Sequence, residues 1–310
     1  MRILCTGGCG FVGSVLVPKL LAAGHHIRVL DVQWFGNYLE KHPHLKVTQG
    51  DIRDQKFPLG ATDVIIHLAA VANDPTGELD PQLTWEINAL ATSQLAARAA
   101  AEGVKHFIYA SSGSVYGVSE ALDVAEDAPL VPLSEYNKSK AVAERVVLSY
   151  ADKMAVQILR PATVCGVSSR MRLDVMVNSL TMQALTNGLM KFNGGNQYRP
   201  NVHIDDMVGA YLWFLDRPLF TGIYNVGFEN LQIKKIAYLV GQKVNARSQA
   251  MPTNDKRSYR INSSKLLATG FRPKKTIVDA ISEIVEKFNA GQLKDEKQWY
   301  NLPTMRLQVA

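Results

Sequence analysis

A glycine-rich loop near the start constrains this 310-residue chain more than any other feature. Gly7, Gly10 and Gly13 follow an apolar run at 2–5 and open a helical pattern at 12–23. A turn of this kind lets the backbone approach a pyrophosphate without interference from a Cβ atom, and the N–H groups of the helix N-terminus face the phosphates. The loop therefore predicts a dinucleotide site, although tight strand-to-helix turns also use glycine for steric reasons alone.

Strand and helix patterns alternate through the first half of the chain. Apolar, strand-like runs lie at 2–5, 27–30, 45–49, 64–68 and 106–110, and helical patterns lie at 12–23 and 87–101. This alternation predicts an α/β fold, a Rossmann-type doubly wound parallel sheet with a smaller C-terminal substrate-binding lobe. We expect residues 1–165 to form mainly the dinucleotide-binding domain and 166–310 mainly the substrate lobe, with segments around 200–228 interwoven with the first domain.

The second half carries fewer clear signals. Asp205 is expected to be the N-cap of a helix at 207–216, because aspartate accepts hydrogen bonds from the first N–H groups of a helix. The residues after Gly291 are expected to form a polar tail that Trp299 and Tyr300 dock onto the rest of the protein.

Composition excludes several classes of protein. The 34 basic and 28 acidic residues give a net charge of +6 and are scattered, so we expect no nucleic-acid partner. Cys5, Cys9 and Cys165 have no paired spacing, which indicates neither a disulfide framework nor a zinc site and fits a reducing cytoplasm. No apolar run approaches the roughly 18–20 residues that span a bilayer, so no membrane partner is expected.

An acidic residue ends the second predicted strand. Asp31 would accept hydrogen bonds from an adenosine ribose and repel a 2′-phosphate, and neither Val32 nor Gln33 supplies a cation for that phosphate. This favours NAD over NADP. His67 fits a core histidine as well as a catalytic one. Further residues expected at the cofactor are Phe11, Val12, Asp51, Ile52, Leu68, Ala69 and Ala70.

A tyrosine and a lysine four residues apart are expected on one face of a helix. An ammonium beside a phenol lowers the phenol pKa from its usual value of about 10, so Tyr136 beside Lys140 could take a proton from a hydroxyl. Chance YxxxK patterns are common on surface helices. Here, however, Ser112 directly follows the strand that ends at Ala110, where an open α/β sheet binds its ligand.

Five features in this order, TGGCGFVG, Asp31, HLAA, SSGSVYG and YNKSK, resemble the extended short-chain dehydrogenase/reductases. The resemblance covers essentially the whole chain and is to the nucleotide-sugar epimerase/dehydratase branch, which includes the UDP-glucose 4-epimerases. It implies NAD as cofactor, Tyr136 as acid/base, Lys140 as its ribose-binding partner and Ser112 as the hydroxyl at the substrate oxygen. Ser111 is expected at the cofactor and stays open as an alternative to Ser112, and Asn88 is implied as a structural asparagine beside the cofactor. The resemblance also implies a homodimer joined through helices near 87–101 and 140–150.

The same resemblance implies a nucleoside-diphosphate sugar as substrate. Pro161 and Thr163 match the segment that holds the nicotinamide and the sugar, but Thr163 stands where an asparagine is frequent, which leaves the sugar open. Arginine suits a diphosphate because its planar fork binds two oxygens at once. Residues expected at the substrate are Ser112, Thr163, Arg170, Asn178, Arg199 and Arg257. His203 and Asp205 are too few for a metal site, and no metal is expected.

The chemistry depends on which groups surround the sugar. Dehydratases and decarboxylases of this branch carry a carboxylate in the segment that matches 112–114, where this chain has Gly113 and Ser114. We therefore expect an epimerase that oxidises the sugar transiently, at C4, and returns the hydride to the opposite face. A keto-sugar reductase that consumes NAD(P)H needs the same residues and is the alternative. A non-catalytic NAD-binding regulator ranks third, because serine, tyrosine and lysine are all present.

Overall fold

The computed structural model describes residues 1–118, 123–254 and 258–309. The strands are β1 (Arg2–Thr6), β2 (His26–Asp31), β3 (Leu45–Gln49), β4 (Val64–His67), β5 (His106–Ala110), β6 (Ala155–Pro161), β7 (Thr163–Cys165), β8 (Leu189–Asn193), β9 (Tyr198–His203), β10 (Gly222–Val226), β11 (Glu229–Gln232) and β12 (Arg247–Met251). Seven of them form a central sheet in the order β10-β6-β5-β4-β1-β2-β3, with all neighbours parallel. The order β3-β2-β1-β4-β5-β6 is that of a Rossmann sheet, which confirms the predicted fold.

Helices cover both faces of this sheet. They are α1 (Gly13–Ala22), α2 (Asp74–Gly77), α3 (Pro81–Trp85), α4 (Thr92–Ala101), α5 (Glu135–Leu148), α6 (Met176–Asn187), α7 (Ile204–Leu215), α8 (Ile233–Val244), α9 (Ser264–Ala268), α10 (Ile277–Asn289) and α11 (Asn301–Val309). A π-helical turn at Glu86–Ala91 leads into α4, and 3-10 turns lie at Gly113–Tyr116 and Lys297–Trp299.

Two apolar cores hold these layers together. Leu16 and Leu20 of α1 pack with Tyr211 and Phe214 of α7 in the core on one face. Ala96 of α4 and residues of α5 pack in the core on the other face. Strands β4 and β5 are buried on both faces, which is why their sequences are apolar runs without alternation.

The second half of the chain builds smaller sheets and also contributes to the large one. Strands β7, β9 and β11 form one small sheet, and β8 pairs with β12 in another. Strand β10 extends the central sheet beside β6, and α7 packs on α1. Within the described residues, no helix has both the length and the apolar character that crossing a bilayer requires.

Two expectations for this half are wrong. His203, rather than Asp205, is the N-cap of α7: its Nδ1 accepts a hydrogen bond from the Asp205 N–H at 3.1 Å, so the helix starts at Ile204. The segment after Gly291 is also more than a polar tail, because it forms a 3-10 turn and then α11. Met305 of α11 is buried against Val71 and Ile87, an apolar contact that the polar composition of the segment obscures.

Candidate active site

A cavity of about 610 Å³ opens at the carboxyl ends of the central strands. Ligands bind at this edge in open α/β sheets, because the loops that follow the strands converge there. The cavity runs from the glycine-rich loop to the start of α5. The predicted residues that line it are Gly7, Gly10, Phe11, Val12, Gly13, Asp31, Asp51, Ile52, Leu68, Ala69, Ala70, Ser111, Ser112, Tyr136, Lys140, Pro161, Thr163, Arg170 and Arg199.

The glycine-rich loop has no room for side chains at two of its positions. Gly7 has φ +72°, and a Cβ atom there would lie 2.6 Å from the main-chain nitrogen of Ala69. A Cβ on Gly13 would lie 2.5 Å from the carbonyl oxygen of Gly8. The loop therefore brings its main chain to the cavity wall and directs the N-terminus of α1 into the cavity, as a diphosphate requires.

Asp31 lies at the end of β2 with its carboxylate fixed by two main-chain donors. Its oxygens accept hydrogen bonds from the N–H groups of Cys9 at 2.9 Å and Gln33 at 2.7 Å. A carboxylate has about four acceptor positions, so it can still accept hydrogen bonds from ribose hydroxyls. Burial raises the pKa of Asp31, and the two main-chain donors and the charge of Arg170 oppose that shift.

Asp51 is already paired within the protein. Arg53 reaches Asp51 at 2.8 Å and Glu86 at 2.8 Å. The arginine holds the carboxylate at the rim of the cavity, so its oxygens are shared between Arg53 and any ligand. Ile52 beside it packs against the cluster around Met305.

Helix α5 places the tyrosine and the lysine in the cavity. The side chain of Ser134 caps the helix by accepting a hydrogen bond from the N–H of Asn137 at 3.2 Å, which sets Tyr136 in the first turn. Lys140 follows one turn later and is 2% exposed. Its Nζ donates to the carbonyl of Ala110 at 2.8 Å and lies 4.8 Å from the centre of the Tyr109 ring.

The pKa values of these two side chains are set mainly by burial. Burial lowers the pKa of Lys140 to about 7, and the negative charge of Glu144 opposes this shift. Burial also raises the pKa of Tyr136, while a hydrogen bond with Ser112 and the charge of Arg172 lower it. The groups that favour the tyrosinate in this chain are therefore Ser112 and Arg172, whereas the sequence predicted that the ammonium of Lys140 would have this effect.

The structure separates the two serines that follow β5. The hydroxyl of Ser111 is buried and donates to the carboxylate of Glu144, away from Tyr136. Ser112 lines the cavity together with Tyr136, and its Oγ lies 2.7 Å from Oγ of Ser114. This geometry favours Ser112 over Ser111 as the hydroxyl at a substrate oxygen.

A buried ion pair between Arg160 and Glu144 lies next to Ser111. Arg160 of β6 reaches Glu144 at 2.7 Å, with side chains that are 3% and 2% exposed. The guanidinium also donates to the hydroxyl of Tyr116 at 2.8 Å. Glu144 thus connects Arg160 to Ser111 and supplies the negative charge that favours the cation of Lys140.

Three side chains considered from the sequence serve the fold instead. Asn88 bonds both the N–H and the carbonyl of Val71, at 2.9 and 3.0 Å, and does not line the cavity. The side chain of Asn178 accepts a hydrogen bond from the Gly166 N–H and donates one to the Gly166 carbonyl, both at 3.0 Å. The prediction that Asn178 contacts the nucleotide is therefore wrong. His67 lies between the hydroxyls of Thr6 and Thr92, and burial lowers its pKa to about 3, so it is a core histidine. The predicted substrate residue Arg257 lies outside the described residues.

Several polar residues in the cavity wall were not predicted from the sequence. They include Asn73, Asp74, Asp174 and Asn301. Asp174 accepts hydrogen bonds from Arg172 Nε at 2.8 Å, from the Asn73 side chain at 3.1 Å and from the Asn301 N–H at 3.2 Å. These residues come from three separate stretches of the chain, so no local sequence motif indicates that they lie together.

A further cluster of polar side chains lies at the start of α7. His203, Asp205 and Glu283 bring their ligand atoms within 4.8 Å of one another. Lys19 bonds Asp205 at 2.6 Å and Lys275 bonds Glu283 at 2.7 Å, so each carboxylate already has a cation. The cluster ties α1, α7 and α10 together.

The glycine loop, Asp31 and the serine–tyrosine–lysine set together form the site of a dinucleotide-dependent dehydrogenase-type enzyme. Comparisons with known proteins agree with this class. Residues 3–227 match the model of the NAD dependent epimerase/dehydratase family. The chain therefore belongs to the NAD-dependent epimerase/dehydratase family.

Relatives carry several activities. A putative UDP-glucose 4-epimerase of Methanocaldococcus jannaschii is 28% identical, over 91% of this chain and 97% of its own. A UDP-glucuronic acid decarboxylase of Danio rerio is 26% identical, over 93% and 72%. The structure of the Thermus thermophilus UDP-glucose 4-epimerase in complex with NAD has a TM-score of 0.82 and 27% identity, covering 92% and 99% of the two chains. The chain is thus an NAD-dependent nucleotide-sugar enzyme.

Proposed function

We propose that the protein is a nucleotide-sugar epimerase that oxidises the sugar transiently at C4 and returns the hydride to its opposite face. The observation that carries this proposal is that Ser112, Tyr136 and Lys140 line one cavity, with Tyr136 and Lys140 one helical turn apart on α5. When bound, NAD supplies the hydride-transfer chemistry, and its oxidised ring adds a positive charge to the site.

In this proposal the chain's own residues handle the proton and hold the sugar. Tyr136 accepts the proton of the sugar hydroxyl, and Ser112 donates a hydrogen bond to the same oxygen. Arg172 favours the tyrosinate through its positive charge, and the ammonium of Lys140 binds the ribose of the cofactor. After oxidation the keto-sugar turns over, and Tyr136 returns the proton to the oxygen on the other face. Arg199, in the cavity wall, is a candidate contact for the substrate diphosphate.

The steric limit at Gly113 supports epimerisation over elimination. A Cβ atom there would meet the tip of the Ile261 side chain and would lie 3.0 Å from the Pro161 carbonyl oxygen, so a carboxylate at this position would require its neighbours to shift. The hydroxyl of Ser114 is engaged with Ser112 and Asn137. Asp74 and Asp174 are the carboxylates near this end, and Asp174 already accepts three hydrogen bonds.

A panel of nucleotide sugars tests this function. The purified protein, loaded with NAD, is incubated with UDP-, dTDP- and GDP-hexoses, and the products are separated by chromatography. The proposal predicts interconversion of two C4 epimers with no net change in absorbance at the reduced-cofactor band. Consumption of NADH in step with product would indicate the keto-sugar reductase instead, and a product lighter by one water would indicate a dehydratase.

We also propose that two copies associate through α5 and the π-helical turn before α4. Leu90, 54% exposed, and Val142, 43% exposed, are apolar residues on these two neighbouring elements. Sedimentation should give the mass of a dimer, and Leu90→Glu should shift it toward the monomer. A monomer at every concentration of the unmodified protein would contradict this association.

A further inference from the structure

Arg170 is a buried cation in the wall of the cavity. Its side chain is among the largest that are fully buried, and the residue is 2% exposed. The guanidinium stacks 4.0 Å from the centre of the Phe35 ring, and its Nη2 donates to the Asn301 side chain at 2.7 Å. Its Nε has no hydrogen-bond partner, and within the described ranges no carboxylate forms an ion pair with it.

The loop that carries Arg170 is tied to the start of α1. The main-chain N–H of Arg170 donates to Ser14 Oγ at 3.3 Å, and Ser168 Oγ donates to the Phe11 carbonyl at 2.7 Å. Asp31 is near enough that the charges of the two side chains affect each other's pKa. Arg170 therefore lies on the glycine-loop side of the cavity, whereas the reacting groups of α5 lie at its other end.

Burying a guanidinium with an unpaired N–H group costs free energy unless an anion accepts a hydrogen bond from that group. Burial, aided by the charge of Arg172, lowers the pKa of Arg170 to about 10, so the side chain remains a cation at neutral pH. The anion that the glycine loop and the N-terminus of α1 accommodate is a diphosphate. Arg170 lines that same cavity, and its buried Nε is the group left without a partner.

The C-terminal segment holds this arginine in position. Asn301 bonds Arg170 through its side chain and Asp174 through its N–H group. The carbonyl of Trp299 accepts from the Leu173 N–H at 2.8 Å, and its ring lies 5.4 Å from that of Tyr38. The segment 297–305 thus joins the loop of Arg170 to the region that follows Asp31.

We propose that Arg170 binds the diphosphate of NAD, and that the segment 297–305 closes over the cofactor and retains it. The sequence resemblance instead implied that Arg170 contacts the substrate. The new assignment rests on the position of Arg170 beside α1 and on its unpaired, buried Nε. It depends on NAD binding alone and holds for either direction of hydride transfer.

The rate of NAD release tests the role of Arg170. The protein is loaded with labelled NAD, and exchange into excess unlabelled NAD is followed for the wild type, Arg170→Met and Arg170→Lys. Since hydrogen bonds to charged groups contribute about 1.5–3 kcal/mol, Arg170→Met should release NAD about 10- to 150-fold faster. Arg170→Lys should fall between the two. ADP should compete less well for the Arg170→Met site, whereas adenosine, which has no phosphate, should compete equally for both proteins.

Binding of UDP to the NAD-loaded protein separates the two assignments. Calorimetry should give the same UDP affinity for the wild type and Arg170→Met. Weaker UDP binding together with unchanged NAD release would overturn the proposal and return Arg170 to the substrate. A thermal unfolding curve for each variant identifies any that fails to fold, and Arg170→Lys keeps the test valid if Arg170→Met does not fold.

A matched pair on α11 tests retention by the C-terminal segment. Met305 is 2% exposed against Val71 and Ile87, whereas Leu307 on the same helix is 81% exposed. Met305→Asp should detach the helix and accelerate NAD release, and Leu307→Asp should leave the release rate unchanged. Equal release rates for the two variants would show that the segment does not retain the cofactor.

Discussion

The two ends of the cavity are built by different means. At the glycine-loop end the main chain forms the wall, and two glycines and Asp31 leave a channel of fixed shape. At the catalytic end the shape depends on buried charged side chains, above all Lys140 and its neighbours Glu144 and Arg160.

Because the two ends differ, we expect substitutions at each end to have different effects. A change at the glycine-loop end acts by steric exclusion, so cofactor affinity falls first. A change at the catalytic end alters charge and proton positions, so turnover, pH dependence or stability changes while the cofactor channel stays intact.

The largest expected effect is on turnover at the catalytic end. Tyr136→Phe removes the hydroxyl that exchanges a proton with the sugar, and general acid–base groups contribute about 10²–10⁴-fold. We expect a loss of that size in kcat with NAD affinity unchanged. Tyr109→Phe is the matched control, because its buried hydroxyl has no partner within the described chain. Full turnover by Tyr136→Phe would remove this residue from the mechanism.

The next largest effect is on stability behind the catalytic end. Glu144→Gln breaks a buried ion pair, which costs about 3–5 kcal/mol in the free energy of unfolding. The control is Glu102→Gln, which breaks the exposed pair with Arg98 on α4 and should cost about 0.3–0.5 kcal/mol. Denaturant titration measures both, and equal costs would show that burial of the Arg160–Glu144 pair carries no special weight.

At the glycine-loop end, Gly7→Ala should weaken NAD binding at least about tenfold. The new Cβ would lie 2.6 Å from the Ala69 nitrogen, and the positive φ adds strain of about 1–3 kcal/mol. Gly24→Ala is the control, because Gly24 also has a positive φ, +80°, but has open space around it. The free energy of unfolding of Gly24→Ala should fall by a similar strain energy, and its NAD affinity should stay the same. Unchanged NAD affinity in Gly7→Ala would contradict the steric account of this end.

The smallest expected effect is a shift in pH dependence. Lys140 has a pKa lowered to about 7, so its charge is lost as the pH rises through that value and activity that needs the cation declines there. The negative charge of Glu144 opposes this lowering. In Glu144→Gln the alkaline limb of the kcat/KM profile should therefore move to lower pH. A limb at the same pH in both proteins would show that it reports another group.

The sequence predicted the glycine-loop end more completely than the catalytic end. Gly7, Asp31 and the order of the strands follow from local patterns, because a tight turn and a strand end are local features. The distinction between Ser111 and Ser112 does not follow from a local pattern, because it depends on the contact of Ser111 with Glu144 of α5.

The C-terminal half was the least predictable part. The start of α7 at Ile204 depends on the His203 side chain, and Asn73, Asp174 and Asn301 meet in the cavity only through tertiary packing. In helix α11 the buried Met305 and the exposed Leu307 do not form an apolar face, so the sequence gives no periodic signal for this helix.

The central claim is that the hydride leaves and returns to the same sugar carbon. Its most direct test uses a nucleotide hexose that carries deuterium at C4, incubated with the NAD-loaded protein, followed by mass and NMR analysis of the product. The account predicts the C4 epimer with its deuterium retained and no reduced cofactor released. Product that accumulates only as added NADH is consumed, or that gains its C4 hydrogen from that NADH, would contradict it.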